Sequence, residues 1–177
     1  MDLKPGLEST SRRSPRISIR QRDLFHALML VVILAVAAYL RFVGLNWDDL
    51  THPHPDERFL TMVESSLRLP ESLGEYFDTA NSKMNPNNVG HGFFVYGSFP
   101  IFIVRYIAEW LEKTGYNEVH LVGRTLSAAF DLVSVLLVYL IGARLYRRRV
   151  GLLAAAFTAV SVLLIPVSYT HLRAHET

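Results

Sequence analysis

No cysteine occurs among the 177 residues, which excludes disulfide bonds and thiolate metal sites and leaves the redox compartment unreadable. Charge is thin as well: 19% of residues are charged and 50% are hydrophobic, with a mean hydropathy of +0.22. That balance is too apolar for an average soluble domain and too polar for a chain held wholly in a bilayer. A mixture of spans and a water-facing segment fits it. The formal net charge of +2 says little, because the charges are segregated along the chain.

Bases are what the middle of the chain lacks. Residues 46–120 carry eleven acids against five bases, a net charge of −6. Bases gather instead on either side of long apolar runs. Lys4, Arg12, Arg13, Arg16, Arg20 and Arg22 precede the run at 24–45, and Arg144, Arg147, Arg148 and Arg149 follow the run at 121–141. A run of about 20 apolar residues at 1.5 Å rise matches a ~30 Å hydrocarbon core, so 24–45 and 121–141 read as membrane spans. A third span is expected over 150–166. The positive-inside rule then puts the 1–23 tail and the basic hairpin 142–149 in the cytoplasm, and the acidic loop 46–120 outside. The tail holds Pro5 and Pro15 and has no apolar period, so it reads as a polar leader to an uncleaved anchor. A cleaved signal peptide is disfavoured, because 24–45 is long for its apolar region and no clear small-x-small site follows.

Residues 167–177, Val-Ser-Tyr-Thr-His-Leu-Arg-Ala-His-Glu-Thr, match the translation of a transposase adapter used in short-read sequencing libraries. They are set aside as an artefact of assembly. His171 and His175, spaced like a metal pair, carry no functional weight. The natural chain is expected to be a fragment that breaks off near Pro166.

The stretch 93–110 is nearly long enough to be another span. If it crossed, the arginine cluster after 121–141 would face outward. It is rich in aromatics and holds Gly97, Pro100, Arg105 and Glu109, so it is expected to lie as a helix in the membrane interface. Earlier in the loop, Pro55 suits the first turn of a helix whose N-terminal end favours Asp56 and Glu57. Phe59, Leu60, Val63 and Leu67 follow as an apolar stripe suited to the membrane surface. Pro70 ends that helix, and residues 81–88 are turn-rich.

The candidate chemistry lies in His54-Pro55-Asp56-Glu57-Arg58. Adjacent carboxylates point in different directions on a helix. One is suited to take a proton from a hydroxyl while the other orients the acceptor or holds a divalent cation. The plainer reading is that both favour a helix start and pair with Arg58 or Arg41. His52 and His54 are candidate metal ligands or, more simply, solvated loop residues. Arg58, Arg105 and Arg124 suit a phosphate, because guanidinium meets phosphate oxygens bidentately; the alternative is snorkelling at the interface. Asp131 lies inside a span, where an ionisable group is costly and serves function or a buried contact. Arg124 lies on roughly the same helix face. Tyr96, Gly97 and Pro100 are expected to shape the interfacial helix.

With those residues assembled, the chain resembles the N-terminal portion of bacterial membrane glycosyltransferases that use a lipid carrier. That GT-C group is related to protein mannosyltransferases and aminoarabinose transferases. The resemblance rests on the basic tail and first span, Arg41-Phe42, His54-Pro55-Asp56-Glu57-Arg58-Phe59-Leu60, Phe94-Val95-Tyr96-Gly97 with Pro100, and Gly123-Arg124. It covers residues 20–166. It implies a mainly α, multi-pass transmembrane bundle with a long extracytoplasmic first loop containing interfacial amphipathic helices, in a bacterial inner membrane. The implied reaction moves a sugar from a polyprenyl-phosphate donor to an extracytoplasmic protein, lipid or glycan acceptor, with no nucleic acid involved. Asp56 matches the leading acid of the family's motif, as general base or acceptor-orienting group. Glu57 matches the second acid, in support or, with Asp56, as ligand to a divalent metal ion, the one cofactor considered. Arg58, Arg124 and His54 are the candidates for the substrate phosphate. Donor-site residues are expected further along a longer chain, so this portion is not expected to act alone. The competing class is a non-enzymatic multi-pass membrane protein, either a transporter segment or an assembly scaffold.

Overall fold

A computed structural model describes residues 19–161. Among them the chain is helical, with no strand. Two helices are long and apolar enough to cross a membrane. The first, α1 (Ile19–Phe42), has 24 residues, about 36 Å of helix. It begins earlier and ends earlier than the apolar run at 24–45. Arg20, Gln21 and Arg22 are good helix formers that extend it toward the N-terminus. At the other end Gly44 takes φ +77°, a left-handed conformation that stops a helix, and residues 43–50 form turns.

The second long helix, α5 (Tyr116–Leu145), has 30 residues, about 45 Å, and overruns the apolar stretch 121–141 at both ends. Only Tyr146 and Arg147 separate it from α6 (Arg148–Ala159). The two helices fold back on each other at very close range. A Cβ on Gly142 would lie 2.9 Å from the Cα of Gly151, and one on Gly151 would lie 2.6 Å from the carbonyl oxygen of Tyr139. Glycine permits that approach, as small residues do where helices pack within membranes. α1 lies against both partners through Ala37, Val135, Ala155 and Ala159, all buried.

Charge reinforces this layer. Arg41, fully buried, donates to the carbonyls of Thr158 and Ala159 at the end of α6 (3.3 and 3.0 Å). Its Nε lies 3.4 Å from Asp131 on α5. A guanidinium at a helix C-terminus satisfies carbonyls with no partner in the helix and complements the dipole. Arg41 therefore ties three helices together.

The connection from α1 to α5 folds over the ends of these helices. It contains α2 (Pro55–Ser66), α3 (Leu73–Phe77), a 3-10 turn (Pro86–Val89) and α4 (Ser98–Trp110). The apolar stripe of α2 does not lie on a membrane surface. Val63 and Leu67 are fully buried against Met84 and Ile101, with Phe59 and Leu60 packed on the same cluster, because α4 offers them a protein face. α4 in turn packs Val104 and Ala108 onto Val119 and Val122 of α5. At 13 residues, about 20 Å, α4 is shorter than a hydrocarbon core. Its opposite face leaves Phe99, Tyr106 and Trp110 exposed. The residues at 167–177, and the continuation of the 150–166 run past Ser161, lie outside the described residues.

Candidate functional site

The turn after α1, the first turns of α2 and the N-terminal third of α5 meet around one guanidinium. Arg124 on α5 is buried, and each of its five N–H donors is taken. Nε donates to Glu57 Oε1 (2.6 Å) and Nη1 to the Leu45 carbonyl (2.6 Å) and Asp48 Oδ1 (2.9 Å). Nη2 donates to Asp48 Oδ2 (3.0 Å) and Glu57 Oε2 (2.9 Å). The Trp47 ring covers the guanidinium at 5.9 Å. Both carboxylates are therefore held bidentately by one cation. The hydrogen bond from Arg124 holds the Asp48 carboxyl down at about 2 against the opposing effect of burial.

This clamp anchors a strained turn. Asp49, Leu50 and His52 have φ of +46°, +67° and +48°, a region costly for residues other than glycine, about 1–3 kcal/mol each. Asp48 anchors the turn on both sides: its Oδ2 accepts from the backbone N–H of His52 (3.1 Å) and its carbonyl from that of Thr51 (3.0 Å). Arg58 Nε adds a bond to the His52 carbonyl at 3.2 Å.

The two acids of the motif part company as helix geometry requires. Glu57 faces α5 and is tied to Arg124. Asp56, half-buried, faces the other way, with the Tyr96 hydroxyl as its electrostatic neighbour. Burial, then the neighbouring Asp56 carboxylate, raise the Tyr96 pKa above the ordinary phenol value. Around Asp56 lies an aromatic surface. Phe59 is 6.1 Å from Tyr96, 6.5 Å from Phe94 and 5.9 Å from His91, centroid to centroid. Tyr96 is 37% exposed, which leaves this surface open beside the carboxylate.

The remaining candidates are only partly gathered at these two faces. Arg58 is exposed, and only its Nε is engaged by the His52 carbonyl. Arg124 has no donor left for a phosphate in this arrangement. His52 and His54 are buried, not solvated as a loop position suggests: His54 precedes the first turn of α2, and His52 packs edge-on against His120 at 4.3 Å and beside Tyr116 at 4.7 Å. None of the four ring nitrogens of His52 and His120 has a hydrogen-bond partner among the described residues. Asp131 belongs to the Arg41 contact, away from the clamp. Arg105 is buried on α4, donating to the Glu64 carbonyl (3.1 Å) and to Glu109 (2.8 Å).

A divalent cation does not fit well. Among the described residues no three acid or histidine side chains converge as ligands, and both Glu57 oxygens already accept from Arg124. Sequence reasoning missed Asp48, His120 and the nearness of Tyr96 to Asp56. The signal for Asp48 was only its place after the first span, shared with Asp49. Comparison with protein-family models, curated proteins and solved structures returned no match.

Proposed function

We propose that this chain is the N-terminal portion of a membrane glycosyltransferase that moves a sugar from a polyprenyl-phosphate carrier to an acceptor outside the cytoplasm. The observation that carries the reading is the separation of roles within Asp56-Glu57. One acid is fixed as a structural clamp on Arg124. The other is half-buried, beside Tyr96 and bordered by aromatic rings. A carboxylate has about four acceptor sites, so Asp56, beside Tyr96, has capacity to accept the proton of an acceptor hydroxyl. The acceptor oxygen then bonds to the anomeric carbon, the bond from that carbon to the phosphate oxygen breaks, and the lipid phosphate leaves with the electron pair. Arg58, exposed at the same end of α2, is the cation available to that phosphate. Phe59, Phe94 and Tyr96 offer faces on which a sugar ring or an isoprenoid chain stacks.

In this reading α1 and α5 cross the inner membrane with Asp56 at its outer edge. α4 lies in the interface, with Tyr106 and Trp110 at headgroup depth, and later parts of a longer chain complete the donor site in a GT-C bundle. The transporter alternative loses its main support, because the acid within the span is engaged by Arg41 in helix packing. Replacing Asp56 by Asn in the full-length protein is expected to abolish sugar transfer, measured with a polyprenyl-phosphate sugar in proteoliposomes, with insertion unchanged. Turnover near that of the parent would sink the assignment.

A further inference from the structure

A second concavity lies far from Asp56, at the opposite end of the helix layer, in a groove between the N-terminal halves of α1 and α6. Its volume is about 840 Å³, and its walls are Phe25, Met29 and Ile33 on one side and Leu152, Leu153 and Ala156 on the other. The α1 residues recur at intervals of four, one face of a helix. At its mouth stand Arg22 and Arg149, neither of which has an ion-pair partner among the described residues. The one acid nearby among the described residues, Asp23, is paired with Arg148, so the described part of the mouth is positive.

We infer that this groove binds one anionic phospholipid, with an acyl chain against the apolar walls and the headgroup phosphate between Arg22 and Arg149. Length and charge both select that occupant. From Gln21 to Ile33 the groove follows α1 for about 18 Å at 1.5 Å per residue, roughly half of a ~30 Å hydrocarbon core. It therefore fits a chain from a single leaflet, whereas a further spanning helix needs a groove that crosses the whole core. Beyond Ile33 the helices close on one another through Ala37, Ala155 and Ala159, which ends the groove near mid-membrane. Guanidinium groups meet phosphate oxygens bidentately, and basic pockets between helices at a membrane face recognise anionic headgroups. The inference rests on the membrane reading of α1 and α6, and not on the sugar transfer.

The test is native mass spectrometry of the full-length chain released from detergent micelles, with phosphatidylglycerol and phosphatidylcholine of identical acyl chains. Phosphatidylglycerol is expected to be retained over phosphatidylcholine by about tenfold. In R22Q/R149Q that preference should vanish, while R144Q/R147Q, altered outside the groove, should keep it. Equal retention of the two lipids overturns the site, as does an equal loss in both double variants, which would mean diffuse attraction to a basic end. A lipid-free dimer would show that a second copy fills the groove instead. Inorganic phosphate should not displace the lipid; displacement by it would mean an ion site without a lipid. Failure of the membrane reading itself is distinguishable, because the chain would then be soluble without detergent.

Discussion

Arg124 commits five donors to Asp48, Glu57 and Leu45, and no other basic side chain reproduces that planar fork. Lysine carries three donors from one point, so Arg124→Lys is expected to leave one carboxylate poorly paired and to release the strained turn at 49–52. Breaking a buried pair costs about 3–5 kcal/mol when one partner is lost outright. A lysine should cost less than that but still lower the unfolding midpoint in detergent, and an unchanged midpoint would refute the clamp. Glu64 gives a different test. Burial, then the charge of Glu57, raise its pKa from 4.5 to about 8, so the folded chain holds a proton that the unfolded chain releases across that interval. Stability from this group is full below pH 4.5 and declines as pH rises to about 8, by roughly 1.4 kcal/mol per unit. Glu64→Gln should flatten the decline in unfolding midpoint between pH 5 and pH 8; parallel pH profiles for the two proteins would disprove it. The importance of Arg124 was legible in its position inside an apolar run, but its partners were not. Leu45 and Glu57 lie 79 and 67 residues away in sequence, and spacing says nothing about which acids return to it. The approach of Tyr96 to Asp56 was hidden for the same reason, since a turn-rich loop separates them.

The helices were readable where apolar length alone decides them. α1 and α5 follow from predominantly apolar runs of about 20 residues, broken only by Arg41 in the first and Arg124 and Asp131 in the second. Their ends were not, because polar helix formers such as Arg20 and Gln21 continue α1 where hydropathy has already fallen. The stripe on α2 was recognisable as an amphipathic face, but hydropathy does not distinguish a lipid surface from α4, and here it is the protein that covers Val63 and Leu67. The close approach of α5 and α6 depends on two glycines whose role no pattern within either helix announces. Gly151→Ala would push a Cβ to 2.6 Å from the Tyr139 carbonyl oxygen and force the hairpin apart, at a cost of about 1–3 kcal/mol. The same change at Gly92, where a Cβ meets nothing within 4 Å, should be nearly neutral. Thermal unfolding of the two variants in one detergent compares them directly, and equal midpoints would contradict the packing.

At the scale of the molecule, absence of cysteine makes orientation testable with single substitutions. Lys83, exposed in the connection between α2 and α4, is expected to face outward. Lys83→Cys should react with an impermeant maleimide on intact cells, and Arg147→Cys only after permeabilisation; the reverse pattern would invert the proposed topology. Arg41 has a consequence for how such a chain is made. Its contact with Ala159 spans 118 residues. At roughly 5–20 residues per second of synthesis, α1 waits on the order of ten seconds before α6 emerges to receive its guanidinium. The guanidinium's ionic partner on α5, Asp131, is made before that, so the carbonyls of α6 are the last of its contacts between helices to arrive. Completion of the α5–α6 hairpin is therefore what finishes the seat of this guanidinium, and a chain cut short before α6 is expected to hold α1 less firmly.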